Sequence, residues 1–562
     1  MFAVLGRLVA AALFIVASAP AAAAADQPDN ARLAAMRALL APWDRTGGPG
    51  AQVVITLDGA PAARVAVGGA DLEQGRAVTP TTAFHAASLS KQVTAFAVLL
   101  LEEDGALSVD DPLARHVPEA AHLGPITLRQ LLNHTSGLRD QWTLLGAAGW
   151  RNEDLVTDEQ ALRMVLAQRG GNFAPGTAYQ YNNSGYTLLA EVVRRRSGMS
   201  LAAFAKKRIF EPLGMTRTRF IDDASVLVPE RASSYRRTEA GFAREPLNYA
   251  TAGPTGLVTT AEDLTRWAAN FESRRIGARR ALDRMAEQGV LSDGTVNTYA
   301  MGQERRPYKG LDTWSHGGRD AGFRSFLLRV PAERFSVAVL SNDADFDSAK
   351  IAFAVADVYL KDRSAYRVSP PRRRTTPSAA QLKAYAGDYE LFPGLIFSFR
   401  VDGRRLLLSV GGGEPSELPA TSDRTFVLNP DRDLAIEFPS MTSGKAPRLS
   451  YRVGLHGALP APRVELKPLP ANPTPLREFV GRYHSPELAT EYTLAVEGDQ
   501  LVATHPRRPA IPLRLYQPDT FSSGEFFFQR LAFERDGSGR ATGFKLSGTN
   551  AENVRFVRSV DD

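Results

Sequence analysis

The chain has 562 residues, a formal net charge of +6 and no cysteine. A charge this small for the length, with no lysine–arginine block interleaved with aromatics, argues against a nucleic-acid partner. The missing cysteines exclude disulfides, a thiolate nucleophile, cysteine zinc ligands and a lipoprotein attachment, and eight histidines without a His-Glu-x-x-His pattern give no metal site, so no cofactor is expected.

In chain order, residues Met1–Arg7 carry one positive side chain, Leu8–Ala17 are apolar and Ser18–Ala25 are small. This is the layout of a secretory signal peptide over 1–25, cleaved near Ala25, and it implies a bacterial periplasmic or secreted protein. No later run approaches about 18 apolar residues, so no transmembrane anchor is expected. Gln52–Thr56 and Arg64–Val67 flank Asp58-Gly59 and predict a hairpin.

Ser88-Leu89-Ser90-Lys91 then opens the apolar run Gln92–Leu101. Residues three apart share a helix face, so a helix beginning here sets the Ser88 hydroxyl beside the Lys91 amine. A serine needs a neighbouring base to become a nucleophile. Lysine can be that base once burial lowers its pKa. The run is apolar nearly all round, as a core helix is, and Asp104-Gly105 ends it. Further along, Pro175-Gly176 turns the chain into Tyr181-Asn182-Asn183, ahead of a helical run over Tyr186–Val193. His316-Gly317-Gly318 follows Trp314-Ser315, and its glycine pair allows close backbone approach. Phe323–Val330 and Phe335–Leu340 predict a second hairpin, and Ile351–Leu360 a closing helix. Terminal hairpins around a helical middle fit an antiparallel sheet with helices on its faces.

Beyond Leu360 the texture changes. Pro370-Pro371-Arg372-Arg373-Arg374 lies in a Pro/Ser/Thr linker, 366–381. Leu382-Lys383-Ala384-Tyr385-Ala386-Gly387-Asp388-Tyr389 opens a stretch of short alternating strands. The phrase returns as Leu476-Arg477-Glu478-Phe479-Val480-Gly481-Arg482-Tyr483, at a 94-residue offset and behind a second linker, 467–475. Two tandem antiparallel β domains follow from this, over 382–466 and 476–562.

Ser-x-x-Lys, Tyr-x-Asn and His-x-Gly, in that order, resemble the three boxes of the penicillin-recognising serine hydrolases. The likeness is to the branch of class C β-lactamases, DD-peptidases, family VIII esterases and D-aminopeptidases. Ile126–Leu138, Ile209–Thr218 and Gly256–Trp267 also resemble that branch, and the likeness runs from about Gly50 to about Leu360. It implies an α/β + α catalytic domain of β-lactamase/transpeptidase type over 26–365. The two β domains resemble the lipocalin-like barrels appended to some members, and the three-part plan is similar to that of bacterial D-aminopeptidases.

The resemblance also implies roles. Ser88 would form an acyl-enzyme and Lys91 would take its proton. Tyr181 would shuttle that proton, and Asn183 would bond a substrate amide or Lys91. His316 would polarise the site and link to Tyr181. The Ser88 amide and that of Arg319, after Gly317-Gly318, would hold the oxyanion. A histidine at 316, where the β-lactamases carry lysine, tilts the reading toward peptidase or esterase activity, and together with the two appended β domains it points to small peptides or amides, with D-residues, as substrate. An esterase or weak β-lactamase, or a non-catalytic penicillin-binding scaffold, remain the alternatives. His134 and Ser136 read as structural, and His85, Tyr179 and Tyr186 as packing residues. Arg319, Asp320 and Arg324 offer both charge signs to a substrate terminus. Cell-envelope peptides are candidate partners, and the oligomeric state is not legible.

Overall fold

A computed structural model describes residues 30–559 apart from 364, 368–374, 430–433, 442–443, 454–457 and 473. The expected signal peptide and the basic run at 370–374 lie outside the described residues.

Helix α1 (Asn30–Leu40) leads into β1 (Ala51–Leu57) and β2 (Ala60–Val67), the hairpin expected around Asp58-Gly59. The helical middle contains α2 (Ser90–Glu103), α3 (Gln141–Ala147), α4 (Ser184–Ser197) and α5 (Ala261–Ser273). Strands β3 (Glu304–Tyr308), β4 (Leu311–Asp320), β5 (Phe323–Val330) and β6 (Phe335–Ser341) follow, then α6 (Ser348–Leu360). The sheet is antiparallel throughout, in the order β3-β4-β5-β6-β1-β2. The chain's first hairpin thus pairs with its last strands, and one sheet joins both ends of the catalytic part.

Strand β5 is buried along its whole length, because it is covered on both faces. On one face Phe326, Leu328 and Val330 pack with α1 and α6. On the other, Phe323 and Leu327 join the core of the helical middle. Helix α2 crosses that second core, buried from Ser90 to Glu102. An apolar sequence nearly all round is what such a position requires.

The two β domains begin with the same device. Each opening phrase forms a helical turn followed by a strand, Gly387–Phe392 in one and Gly481–Ser485 in the other. The tyrosine of the phrase donates to the carbonyl four residues back, Tyr389 to Tyr385 at 2.9 Å and Tyr483 to Phe479 at 3.0 Å. An arginine from the last strand lies over that ring and bonds two carbonyls of the turn. Arg463 reaches Ala384 and Ala386, and Arg558 reaches Glu478 and Val480. Both glycines have positive φ, 141° and 151°, and a Cβ at Gly387 would fall 1.8 Å from the Arg463 guanidinium. Glycine is therefore required twice over, for backbone conformation and for the arginine's access.

The domains differ in closure. The second is a closed eight-stranded barrel, as expected. The first has eight strands among its described residues but is open between Ser416–Glu417 and Thr425–Asn429, where a barrel was expected to close. Gly411-Gly412-Gly413-Glu414-Pro415 ends the preceding strand and leaves only two residues to pair, and glycine and proline runs of this kind interrupt a ladder.

Candidate active site

Ser88 sits in a 3₁₀ turn, Ala87–Leu89, immediately before α2, so the α-helix begins two residues later, at Ser90, than the expected start at Ser88. Ala87 has φ = 49°, a left-handed backbone that costs a non-glycine residue energy. The turn is tied down from both sides. Ser90 Oγ donates to Ala87 O at 2.6 Å and accepts from Leu257 N at 3.1 Å. Ser88 itself remains half-buried and so reachable.

Lys91 is fully buried one turn along, with three partners for Nζ: Ser88 Oγ at 3.1 Å, Asn183 Oδ1 at 2.9 Å and Pro254 O at 2.8 Å. Burial pulls its pKa down to about 7, against the opposing pull of Asp140 and Asp320. A neutral amine has two N–H bonds and one lone pair. The carbonyl oxygens of Asn183 and Pro254 can only accept, so they take both N–H bonds. The lone pair is left facing the one partner able to donate, the Ser88 hydroxyl.

Asn183 is held by a residue that the sequence reading missed. Asp140 Oδ2 accepts from Asn183 N at 2.7 Å and from Asn183 Nδ2 at 2.8 Å, and Oδ1 caps α3 through Trp142 N at 2.9 Å. Burial pushes the Asp140 carboxyl up while these N–H donors pull it back. An Asp before a helix is legible as a cap; its grip on Asn183, 43 residues away, has no local signal.

The Tyr181 ring lies beside Lys91, with Nζ 4.7 Å from its centroid, and is tilted against the His134 ring at 4.4 Å. Burial lifts the Tyr181 phenol well above its ordinary range, with the neighbouring Ser88 hydroxyl working the other way. It is therefore a neutral O–H donor rather than a phenolate. Asn182, the middle residue of the box, fixes the backbone by bonding His134 Nδ1 (3.1 Å), Leu138 O (2.7 Å) and Gly185 N (2.9 Å). His134 is buried among Tyr181, Tyr186 and Tyr299, and burial holds its pKa well below the usual value.

His316 on β4 is also buried, and its pKa is lowered to about 3 by burial and by the charge of Lys91. Its Nδ1 bonds Gly317 O at 2.6 Å and its Nε2 bonds Tyr299 OH at 3.0 Å. A carbonyl only accepts, so Nδ1 carries the proton and Nε2 accepts from Tyr299. The expected link to Tyr181 is thus replaced by a hydrogen bond to Tyr299; the His316 and Tyr181 rings lie 6.2 Å apart. Gly318 packs onto the Ser88 turn, where a Cβ would lie 2.4 Å from Ala86 O and 3.0 Å from Ala87 Cβ. This contact sets the 318–319 backbone alongside Ser88. The Arg319 side chain is exposed. Arg324 is turned back on the carbonyls of Ala321 and Phe323, both at 2.7 Å. Asp320 bonds His85 at 3.0 Å and Thr255 at 2.9 Å.

The closed barrel reaches this site. Asn550, at its last hairpin, accepts from Asp140 N (2.8 Å) and Asn172 Nδ2 (3.0 Å), and its amide approaches Tyr181 O at 3.4 Å. Beside it, buried Arg139 pairs with Glu487 at 2.6 Å and bonds the carbonyls of Glu552 and Asn553. Among the described residues no group of acidic, histidine or cysteine side chains is placed to hold a metal ion. Nor is any of their helices long and apolar enough to cross a membrane.

The sequence profile of the family described as Beta-lactamase matches residues 34–360. The chain is 32% identical over 341 residues to a D-aminopeptidase of Gluconobacter oxydans, covering 60% of this chain and 64% of that one, just under two thirds of its length. It is 26% identical over 528 residues to a D-aminopeptidase of Brucella anthropi, covering 91% and 95%. Of solved structures, the octameric penicillin-binding protein homologue from Pyrococcus abyssi is similar with a TM-score of 0.54 at 22% identity, over 77% of this chain and 100% of that one. At that identity the likeness concerns the fold.

Proposed function

The chain belongs to the β-lactamase family, and from that premise we propose that it is a serine hydrolase releasing D-amino acids from small peptides or amides through an acyl-enzyme on Ser88. The observation that carries this reading is the Lys91 amine. Its pKa is lowered to about 7, and in the neutral form both N–H bonds go to carbonyls, so the lone pair faces Ser88 Oγ at 3.1 Å.

In this reading Lys91 takes the Ser88 proton as Oγ bonds to the substrate carbonyl carbon. The Ser88 and Arg319 amides receive the oxyanion, each such donor contributing about 10² to 10³ in rate. As the C–N bond breaks, the neutral Tyr181 phenol gives its proton to the leaving amine and regains one from Lys91. Water then cleaves the ester by the reverse route. His316, neutral and turned to Tyr299, supplies shape rather than positive charge. D-amino acid specificity and aminopeptidase polarity are supported by the Brucella relative, whose similarity spans catalytic part and β domains alike. The leader-like segment 1–25 supports export to the periplasm or beyond.

The test compares kcat/KM on a D-alanine amide, a short-chain ester and a chromogenic cephalosporin. The amide should be the best of the three, and Ser88→Ala should abolish turnover and labelling by a fluorescent penicillin while the fold is kept. A cephalosporin preference would turn the reading to a β-lactamase. Full activity in Ser88→Ala would move the nucleophile elsewhere.

A further inference from the structure

A cavity of about 270 Å³ opens between α5 and the helix-facing side of the sheet, and Ser88 does not line it. Its floor contains the guanidinium of Arg329, on β5. This cation is buried, lies 3.5 Å from the Phe271 ring centroid and donates one hydrogen bond, at 2.7 Å, to Gln303 Oε1. Among the described residues no carboxylate pairs with it. The two acids at the cavity mouth are engaged already, Glu272 with Arg334 at 3.4 Å and Asp283 with Arg274. Gln303 is locked with its oxygen toward the arginine, because its amide nitrogen donates to Met285 O at 3.0 Å. Burial lowers Arg329 to about 9 against the opposing pull of the Glu272 carboxylate, and a buried cation with no direct ion pair is costly.

The remaining walls decide what fits. Ala268, Phe271, Leu282 and Trp314 are apolar, the hydroxyls of Thr56 and Ser336 bond each other at 2.6 Å, and Arg274 is paired with Asp283, so Arg329 is the charge left to meet a ligand. A guanidinium fork matches a planar, two-oxygen acceptor. We propose that this cavity is a binding site for a small organic carboxylate with a compact apolar body, bound by Arg329 and packed between Phe271 and Trp314. Its occupant would lean on two segments that build the Ser88 cleft. Trp314 lies two residues before His316 on the same face of β4. Gly302, next to Gln303, presses on α2, where a Cβ would meet Lys91 O at 2.8 Å. Gly318 lies four positions along the strand from Trp314, about 13 Å, and neither Ser88 nor His316 lines this cavity, so the two sites are distinct.

Benzoate is the probe, with benzamide as its uncharged isostere. Calorimetry on the full chain should show saturable one-to-one benzoate binding, weakened roughly tenfold or more by Arg329→Met, the scale of losing a charged hydrogen bond. Benzamide should bind at least as much more weakly. A wild-type crystal soaked with 4-iodobenzoate should place the iodine in this cavity, and that result stands even if Arg329→Met does not fold. Equal benzoate binding by a folded Arg329→Met, or iodine only in the Ser88 cleft or nowhere, would overturn the proposal.

Discussion

The two C-terminal β domains start from one phrase and the same tyrosine–arginine clamp, yet they relate differently to the rest of the molecule. The core of the open sheet consists of its own residues, between Leu382 and Ala461. The core of the closed barrel takes in Leu144 and Ala147 from α3, beside Phe479, Phe527 and Phe544. The glycines of α3 record how close this docking is. A Cβ at Gly146 would lie 2.8 Å from the Phe527 ring, and one at Gly149, just past the helix, 2.1 Å from His505. Helix α3 is also the helix capped by Asp140, which holds Asn183. The barrel therefore packs on the element that positions the candidate site. The open sheet is fastened to the barrel, through Glu390 and Arg530 at 2.8 Å. Similar sequence phrases have yielded one domain that is part of the site's foundation and one that is a step removed.

The most severe way to break this arrangement is to remove Glu487. Its pairing with Arg139 is buried on both sides, with 7% and 6% side-chain exposure. Breaking a buried pair from one side strands a charge and typically costs about 3–5 kcal/mol. Glu487→Ala should lower the unfolding free energy by roughly that much, expose the barrel to limited proteolysis and reduce activity along with it. A denaturant midpoint and protease pattern equal to wild type would mean that the barrel rests on α3 without supporting it.

Much of this could be read in the sequence, and the limits have physical causes. The terminal hairpins, α2, the three boxes and the repeated phrase are local patterns: periodicity, turn residues and spacing. The strand-rich character of both β domains was legible for the same reason. What the sequence did not disclose is tertiary. Asp140 looks like a helix cap until Asn183, just ahead of α4, is set against it. Tyr299 carries no motif, yet it takes the hydrogen bond foreseen for Tyr181. Asn550 stands 369 residues from Tyr181 in the chain. Closure of a barrel depends on whether one strand, Ser416–Glu417, keeps its partners, and that is a matter of two or three residues in an otherwise regular pattern.

A milder intervention tests whether the barrel-facing aspartate tunes the lysine. Lys91 is lowered to about 7 by burial, and Asp140 is the largest charge opposing that shift. In the proposed mechanism the working form of Lys91 is the neutral one. Activity should therefore rise with pH and level off above about 7, falling tenfold per unit below it, as for one essential proton. Asp140→Asn keeps an acceptor for Asn183 and removes the charge. The Lys91 pKa should fall further, and the acid limb of kcat/KM should move to lower pH. His134 and His316, both held well below their usual pKa by burial, do not titrate in this range. An acid limb that stays in place in Asp140→Asn would show that another group controls it.

The smallest effect is expected at the junction of the two β domains. Arg530 donates to both oxygens of Glu390, at 2.9 and 2.8 Å, and the pair is partly exposed, at 18% and 22%. Solvent screens such a pair, whose contribution is typically about 0.2–1 kcal/mol. Glu390→Gln keeps the acceptor for Gly394 N, now at 2.7 Å, and removes only the charge. Stability should fall by no more than about 1 kcal/mol, and kcat/KM on a D-alanine amide should match wild type, because the open sheet takes no part in holding Asp140, Asn183 or Tyr181. Measured beside Glu487→Ala, this variant gives the contrast its sharpest form, since both remove one acidic partner from an ion pair of the closed barrel. A loss of activity in Glu390→Gln comparable to that in Glu487→Ala would mean that strain at the outer junction is transmitted through the barrel to α3, and the two β domains would have to be treated as one supporting body.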